Sequence, residues 1–124
     1  MSQARLREKL RARFPEEEVE EALKRLLDLG YLDDRAFSET YVAARSRYGP
    51  LKLRRLLLAQ GVEEEIVEAV LPKEEAALEA ALRVLRRYPR RGDKAKAVRF
   101  LRGRGFPLGV ALEAYRLVKK EEEG

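Results

Sequence analysis

The chain has 124 residues, 45% hydrophobic and 40% charged, with a net charge of +5 and neither cysteine nor histidine. That length suits one compact unit or a short array rather than two ordinary domains, no apolar run nears the roughly 20 residues that cross a bilayer, and the charged stretch Ser2 to Arg13 does not read as a signal peptide. Without thiols or imidazoles the chain lacks disulfides, thiolate nucleophiles, zinc ribbons and the usual general base, so no catalytic residue, metal or cofactor is expected, and the protein is expected to be cytoplasmic, monomeric and without a membrane partner.

Apolar residues recur at three- and four-residue spacing from end to end and nowhere alternate long enough for a strand, so the fold is expected to be all-α with about eight helices. The first helix, about Ser2 to Arg13, carries Leu6 and Leu10. The second opens with Pro15 at its first position and carries Val19, Ala22, Leu23, Leu26 and Leu27 until Gly30 stops it. Tyr31-Leu32 bridges to a helix that starts at Asp33 or Asp34, either of which can cap its free amides, with Phe37, Tyr41, Ala44 and Tyr48 as the buried stripe. Gly49-Pro50 turns the chain into a helix over Leu51 to Gln60, ended by Gly61. Its Leu53, Leu56 and Leu57 lie on one face and Leu51 and Leu58 on the other, a pattern that predicts cover on both sides. Glu63 to Leu71 is the next helix. Another runs from Lys73 or Glu74 to Tyr88, with Ala77, Leu78, Ala81, Leu82, Leu85 and Tyr88 inward and Arg83, Arg86 and Arg87 outward. After the basic loop Pro89 to Asp93 come helices over about Lys94 to Arg104 and Pro107 to Lys120, the last burying Val110, Ala111, Ala114, Leu117 and Val118. The final residues are expected to fray.

One helix-turn-helix phrase is written three times: Leu6, Leu10, Phe14-Pro15, Val19, Leu23; then Leu53, Leu57, Gly61-Val62, Val67, Leu71; then Ala97, Leu101, Gly105-Phe106-Pro107, Ala111, Tyr115. From the turn onward the copies sit 48 and then 44 residues apart. Such regularity marks a small helical repeat protein, expected to stack its three-helix units into a curved, elongated array. The single repeat domain 1–124 divides into a partial first repeat (1–30), a second (31–71), a third (72–120) and a frayed tail (121–124).

Charge is distributed unevenly. Met1 to Pro50 holds ten basic and ten acidic residues, so the whole excess lies further on. Arg83, Arg86, Arg87, Arg90, Arg91, Lys94, Lys96, Arg99, Arg102 and Arg104 face a single acid, Asp93, within their span. A second cluster, Arg45, Arg47, Lys52, Arg54 and Arg55, has no acid between its ends. The alternative is a solvated face paired with nearby acids, such as Glu79 with Arg83 at i, i+4, but one glutamate cannot neutralise the ten cations of the first cluster, and an anionic partner is the natural suspect. Arginine forks two hydrogen bonds to phosphate or carboxylate, which suits nucleic acid and an acidic protein surface alike. Tyr41 and Tyr48 could stack on bases, but their place on the Phe37 stripe marks them as core.

The acid clusters point elsewhere than to chemistry. Glu16-Glu17-Glu18 and Glu63-Glu64-Glu65 occupy the same place in the repeat, the first turn of its last helix, where negative side chains offset the helix dipole. Asp33-Asp34 reads as a cap rather than a metal pair, and Gly103-Arg104-Gly105 lacks Walker spacing and follows a helix, as a terminator does.

The run Gly30-Tyr31-Leu32-Asp33-Asp34-Arg35-Ala36-Phe37, followed by Tyr41-Val42, Arg45-Ser46-Arg47, Gly49-Pro50, Leu53, Leu57 and Gly61-Val62, resembles the central signature of the RecX regulators of the bacterial RecA recombinase. The resemblance implies an all-helical array of three-helix repeats. It also implies a protein that binds the RecA filament, restrains filament growth, ATP hydrolysis and strand exchange, and in some cases binds single- or double-stranded DNA. Arg35, within that signature, joins the two basic clusters as a candidate RecA or DNA contact. Two departures stand out: the opening helix of repeat one is missing, and Phe14 stands where the later copies have glycine. A stand-alone DNA-binding helical module is the alternative, since three-helix units with a basic helix often enter a groove.

Overall fold

The computed structural model describes residues 2–29 and 33–124, and the bridge expected at Gly30, Tyr31 and Leu32 lies outside them. Among the described residues there are eight helices and no strand: α1 (Gln3–Arg11), α2 (Glu16–Asp28), α3 (Asp34–Ala44), α4 (Pro50–Ala59), α5 (Glu64–Val70), α6 (Glu74–Arg86), α7 (Lys94–Gly103) and α8 (Leu108–Glu123). None of them is long and apolar enough to cross a membrane.

The chain forms two compact units, and α4 contributes to both. One unit joins Met1–Ala44 to Leu56–Val70. Within it α1 packs on α2 and α3 on α5, around buried Val19, Leu23, Leu57, Val62 and Val67. Ser2 is fully buried: its hydroxyl donates to the Gln60 carbonyl and accepts from the Arg5 amide at 3.3 Å, so it both caps α1 and ties it to the end of α4. Asp33 accepts from the amides of Arg35 (3.1 Å) and Ala36 (3.0 Å) and so caps α3, while Asp34 accepts from the Gln3 amide at 2.9 Å. Two neighbouring carboxylates thus serve two separate backbone ends.

The other unit joins Arg45–Arg55 to Leu71–Gly124. Its core is the mutual packing of α6, α7 and α8 through Ala81, Leu85, Ala97, Leu101, Phe106, Ala111 and Ala114, every one of them fully buried. Alanines on α6 and α8 let the two helices approach closely, and Phe106 fills the end of the space they leave.

The turns of copies two and three have the same geometry. Gly61 (φ 85°) and Gly105 (φ 95°) adopt the left-handed conformation that side chains resist. Val62 donates to Leu57 at 3.2 Å and Phe106 to Leu101 at 3.1 Å, while Gly61 donates to Leu58 and Gly105 to Arg102, so both helices end in a Schellman motif. Copy one has no glycine and ends differently. Phe14 donates to Leu10 at 2.9 Å without positive φ, and its ring stays 49% exposed.

Several expectations need correction. Pro15 is the N-cap of α2, not its first helical residue, and Pro107 caps α8 with nearly the same angles. The buried residue of α3 is Ser38, whose hydroxyl donates to the Asp34 carbonyl at 2.6 Å; Phe37 and Tyr41 are half-buried, Ala44 is exposed, and Tyr48 falls in the turn beyond the helix. Cover on both faces of α4 is absent for Leu51 and Leu58, which stay 52% and 37% exposed. The last helix is longer than expected: α8 continues past Lys120 to Glu123. Lys119 to Glu123 are all strong helix formers with no breaker before Gly124, and the glutamates there pair with Arg86, Arg91 and Lys119.

Candidate anion-binding face

The basic residues of the second unit are arranged by a contact between two turns. Gly49, in the turn before α4, donates to the Arg104 carbonyl at 2.8 Å, and Leu51 donates to the Gly105 carbonyl at 2.9 Å. The backbones touch so closely that a Cβ at Gly49 would overlap the carbonyl of Gly105 and the amide of Phe106. The Arg45–Arg55 segment is thereby held against the end of α7, and the two arginine clusters of the sequence meet.

Where they meet, a cavity of about 860 Å³ opens, lined by Arg47 from the turn, Arg83, Arg86 and Arg87 from the end of α6, and Arg104 from the end of α7. Helix geometry puts Arg83, Arg86 and Arg87 on one side, three and four residues apart. Tyr88 and Phe100 form the apolar wall, stacked at 4.1 Å between centroids with planes 5° apart, and the Arg104 guanidinium sits 5.2 Å from the Phe100 centroid. Five arginines line one concavity and, although Arg86 is paired with Glu121, the others sum to a local positive potential, which an anion relieves. Ser46 adds a hydroxyl to the rim.

The remaining candidates are spread more widely. Lys52 lies 4.0 Å from the Tyr48 ring. Arg45 is in the turn ahead of Arg47, and Arg54 and Arg55 lie along α4. Arg90 is exposed in the loop after α6, Arg102 is exposed near the end of α7, and Lys96 is half-buried behind the Asp93 cap, which accepts its amide at 3.2 Å. Lys94 and Arg99 line a separate apolar groove with Val98 and Leu112. Arg35 belongs to the other compact unit, where it pairs with Glu39 at 3.0 Å.

The face is less acid-poor than its stretch of sequence. Arg86 forks onto Glu121, Nε at 3.2 Å and Nη2 at 2.5 Å, and Arg91 donates to Glu122. These acids sit 35 and 31 positions away on α8, beyond any i, i+4 reading. Sequence reasoning missed them, along with Ser46 and the Tyr88–Phe100 wall; unbroken helix propensity through Glu123 was the available signal for the acids.

Three carboxyls that accept a forked arginine are held below the ordinary glutamate value of 4.5: Glu121 by Arg86, Glu113 by Arg116 and Glu16 by Arg11, the hydrogen bond being the largest cause in each. A folded value below the unfolded one gives a contribution that is complete above the unfolded value and lost as pH falls through the folded one. Carboxyl NMR titration is expected to place all three midpoints below 4.5. A midpoint at or above that value would mean the pair does not persist in solution.

A family model described as RecX, second three-helix domain, matches residues 33–71. The chain is 65% identical over 124 residues to a regulatory protein RecX of Thermus thermophilus, covering 99% of this chain and 86% of that protein. It is 35% identical to the regulatory protein RecX of Chlorobaculum tepidum, over 96% of this chain and 80% of that one. The crystal structure of RecX from Lactobacillus salivarius has the same fold, with a TM-score of 0.85 at 20% identity over 95% of this chain and 85% of that one. On the strength of that identity along nearly its whole length, the chain belongs to the RecX family of regulatory proteins.

Proposed function

We propose that this chain is a non-enzymatic modulator of the RecA recombinase, which binds the nucleoprotein filament through its basic face and restrains filament growth, ATP hydrolysis and strand exchange. One observation carries the reading: Arg47 joins Arg83, Arg86, Arg87 and Arg104 around a single cavity, although more than 30 positions separate Arg47 from the other four. A filament of acidic protein surface and enclosed phosphate offers the anions that such a cavity attracts. The carboxylate clusters that could have served acid-base chemistry sit instead in helix first turns and caps. The chain is proposed to work as three tandem helical repeats, 1–30, 31–71 and 72–120, in the cytoplasm and as a monomer.

RecA ATPase on single-stranded DNA tests the reading. Turnover is expected to fall as this protein is added. A strong effect far below one copy per RecA subunit indicates end capping, and a proportional effect indicates occupancy along the groove. Undiminished turnover at equimolar protein sinks the proposal. Titration of naked single and duplex DNA at two salt concentrations separates the DNA-binding alternative: phosphate-led affinity falls with log salt at a slope of about −0.9 per phosphate neutralised on duplex. Tight, salt-sensitive binding without RecA would shift the assignment to a DNA-binding module.

A further inference from the structure

Two glutamates in the last turn of α8 already occupy part of the basic face. Glu121 accepts a fork from Arg86, one of the cavity arginines, at 3.2 and 2.5 Å, and Glu122 accepts from Arg91. Arg91 also donates from Nη1 to the Tyr88 carbonyl at 3.1 Å, which ties the second pair to the backbone of a residue that lines the cavity. These contacts bridge α8 to the end of α6 and the loop after it, and adjacent carboxylates meet arginines five positions apart.

Both pairs are half-exposed, with side-chain exposures of 47% and 48% for Arg86–Glu121 and 37% and 44% for Arg91–Glu122. Exposed ion pairs contribute little to folding and exchange readily with other ions. They are weak staples but well suited to reversible occupation of a site. Glu121 is nonetheless held ionised by its arginine below the usual carboxylate range, so it remains a charged occupant at neutral pH.

We infer that the last turn of α8 is a built-in competitor at the anion-binding face: Glu121 and Glu122 hold Arg86 and Arg91 as the anionic groups of a partner would, and the partner must displace them. The inference rests on the reading of this face as the filament contact. It assigns the acidic turn a regulatory part, setting a threshold below which weakly anionic surfaces do not engage Arg86 and Arg91, while Arg47, Arg83, Arg87 and Arg104 make first contact.

The test compares full-length variants for binding to a RecA filament assembled on single-stranded DNA, at low salt. E121Q/E122Q keeps both side-chain shapes and removes both charges. It is expected to bind about two- to thirty-fold tighter than the parent, the range that two exposed pairs can supply. E17Q/E18Q, which changes net charge equally in the first turn of α2, controls for non-specific attraction and is expected to gain less. Adding R86Q/R91Q completes a double-mutant cycle, in which the gain from E121Q/E122Q is expected to vanish. A gain no larger than that of E17Q/E18Q, or one that persists without the arginines, overturns the competitor. Absence of filament binding in the parent and in every variant overturns the filament reading itself, and the competitor with it.

Discussion

The variant R47E/R87E/R104E is expected to lose inhibition of RecA ATPase, with an apparent affinity for the filament about a thousand-fold below the parent's and an unchanged helical signal. The three arginines come from three places, the turn before α4, the end of α6 and the end of α7, yet line one cavity. Each charge-assisted contact removed costs about 1.5 kcal/mol or more, and reversal adds repulsion against the same anion. Helices should survive, because Arg47 and Arg87 are exposed and none of the three side chains belongs to the buried core. If the partner's anions are phosphates, the salt slope should also flatten by about 0.9 for each phosphate contact removed. Arg86 and Arg91 are left out deliberately, since reversing them would also free Glu121 and Glu122 and mix two effects. Inhibition equal to the parent's would remove this cavity from the mechanism and direct attention to the groove beside Lys94 and Arg99.

The second large effect is expected at Gly49, a residue with no side chain and no charge. A methyl group there would overlap the Gly105 carbonyl and the Phe106 amide, all backbone atoms that cannot rotate away. Relief requires the two turns to part, which stretches the 2.8 Å bond from Gly49 to Arg104 and the 2.9 Å bond from Leu51 to Gly105. G49A is expected to cost roughly 3 kcal/mol, about 2 for the overlap and about 1 for the weakened hydrogen bonding. For a chain of this length that lowers Tm by roughly 10 °C. Filament inhibition should weaken as well at temperatures where the variant is still folded, because Arg47 loses its anchor beside Arg104. G103A is the matched control: a Cβ there meets nothing within 4 Å and lies in helix, where alanine is favoured over glycine. Equal melting temperatures for G49A and the parent would show that the turns do not touch in solution.

Local signals along the chain determined the helices. Three- and four-residue spacing, Pro15 and Pro107 at helix starts, an aspartate cap at Asp33 or Asp34 and Gly61 and Gly105 at helix ends each act over a few positions, so the elements were legible without any knowledge of packing. The repeated phrase was legible for the same reason: Val62 and Phe106 follow their glycines in identical Schellman turns. The family resemblance was legible in the signature from Gly30 to Val62, most of which falls within the matched second three-helix domain, residues 33–71.

The site itself depended on tertiary contacts. Which arginines share a cavity is decided by the buried alanine faces of α6 and α8 and by the close approach of Gly49 to Gly105, and these join residues that no local pattern relates. The sequence alone put Arg35, Arg47 and Lys94 on one candidate list, whereas packing sends them to different places, because a side chain's neighbours across the fold depend on how helices dock and not on what precedes it in the chain. The same holds for Glu121 and Glu122. Read in order they are a charged tail, and only the docking of α8 against the end of α6 sets them on Arg86 and Arg91.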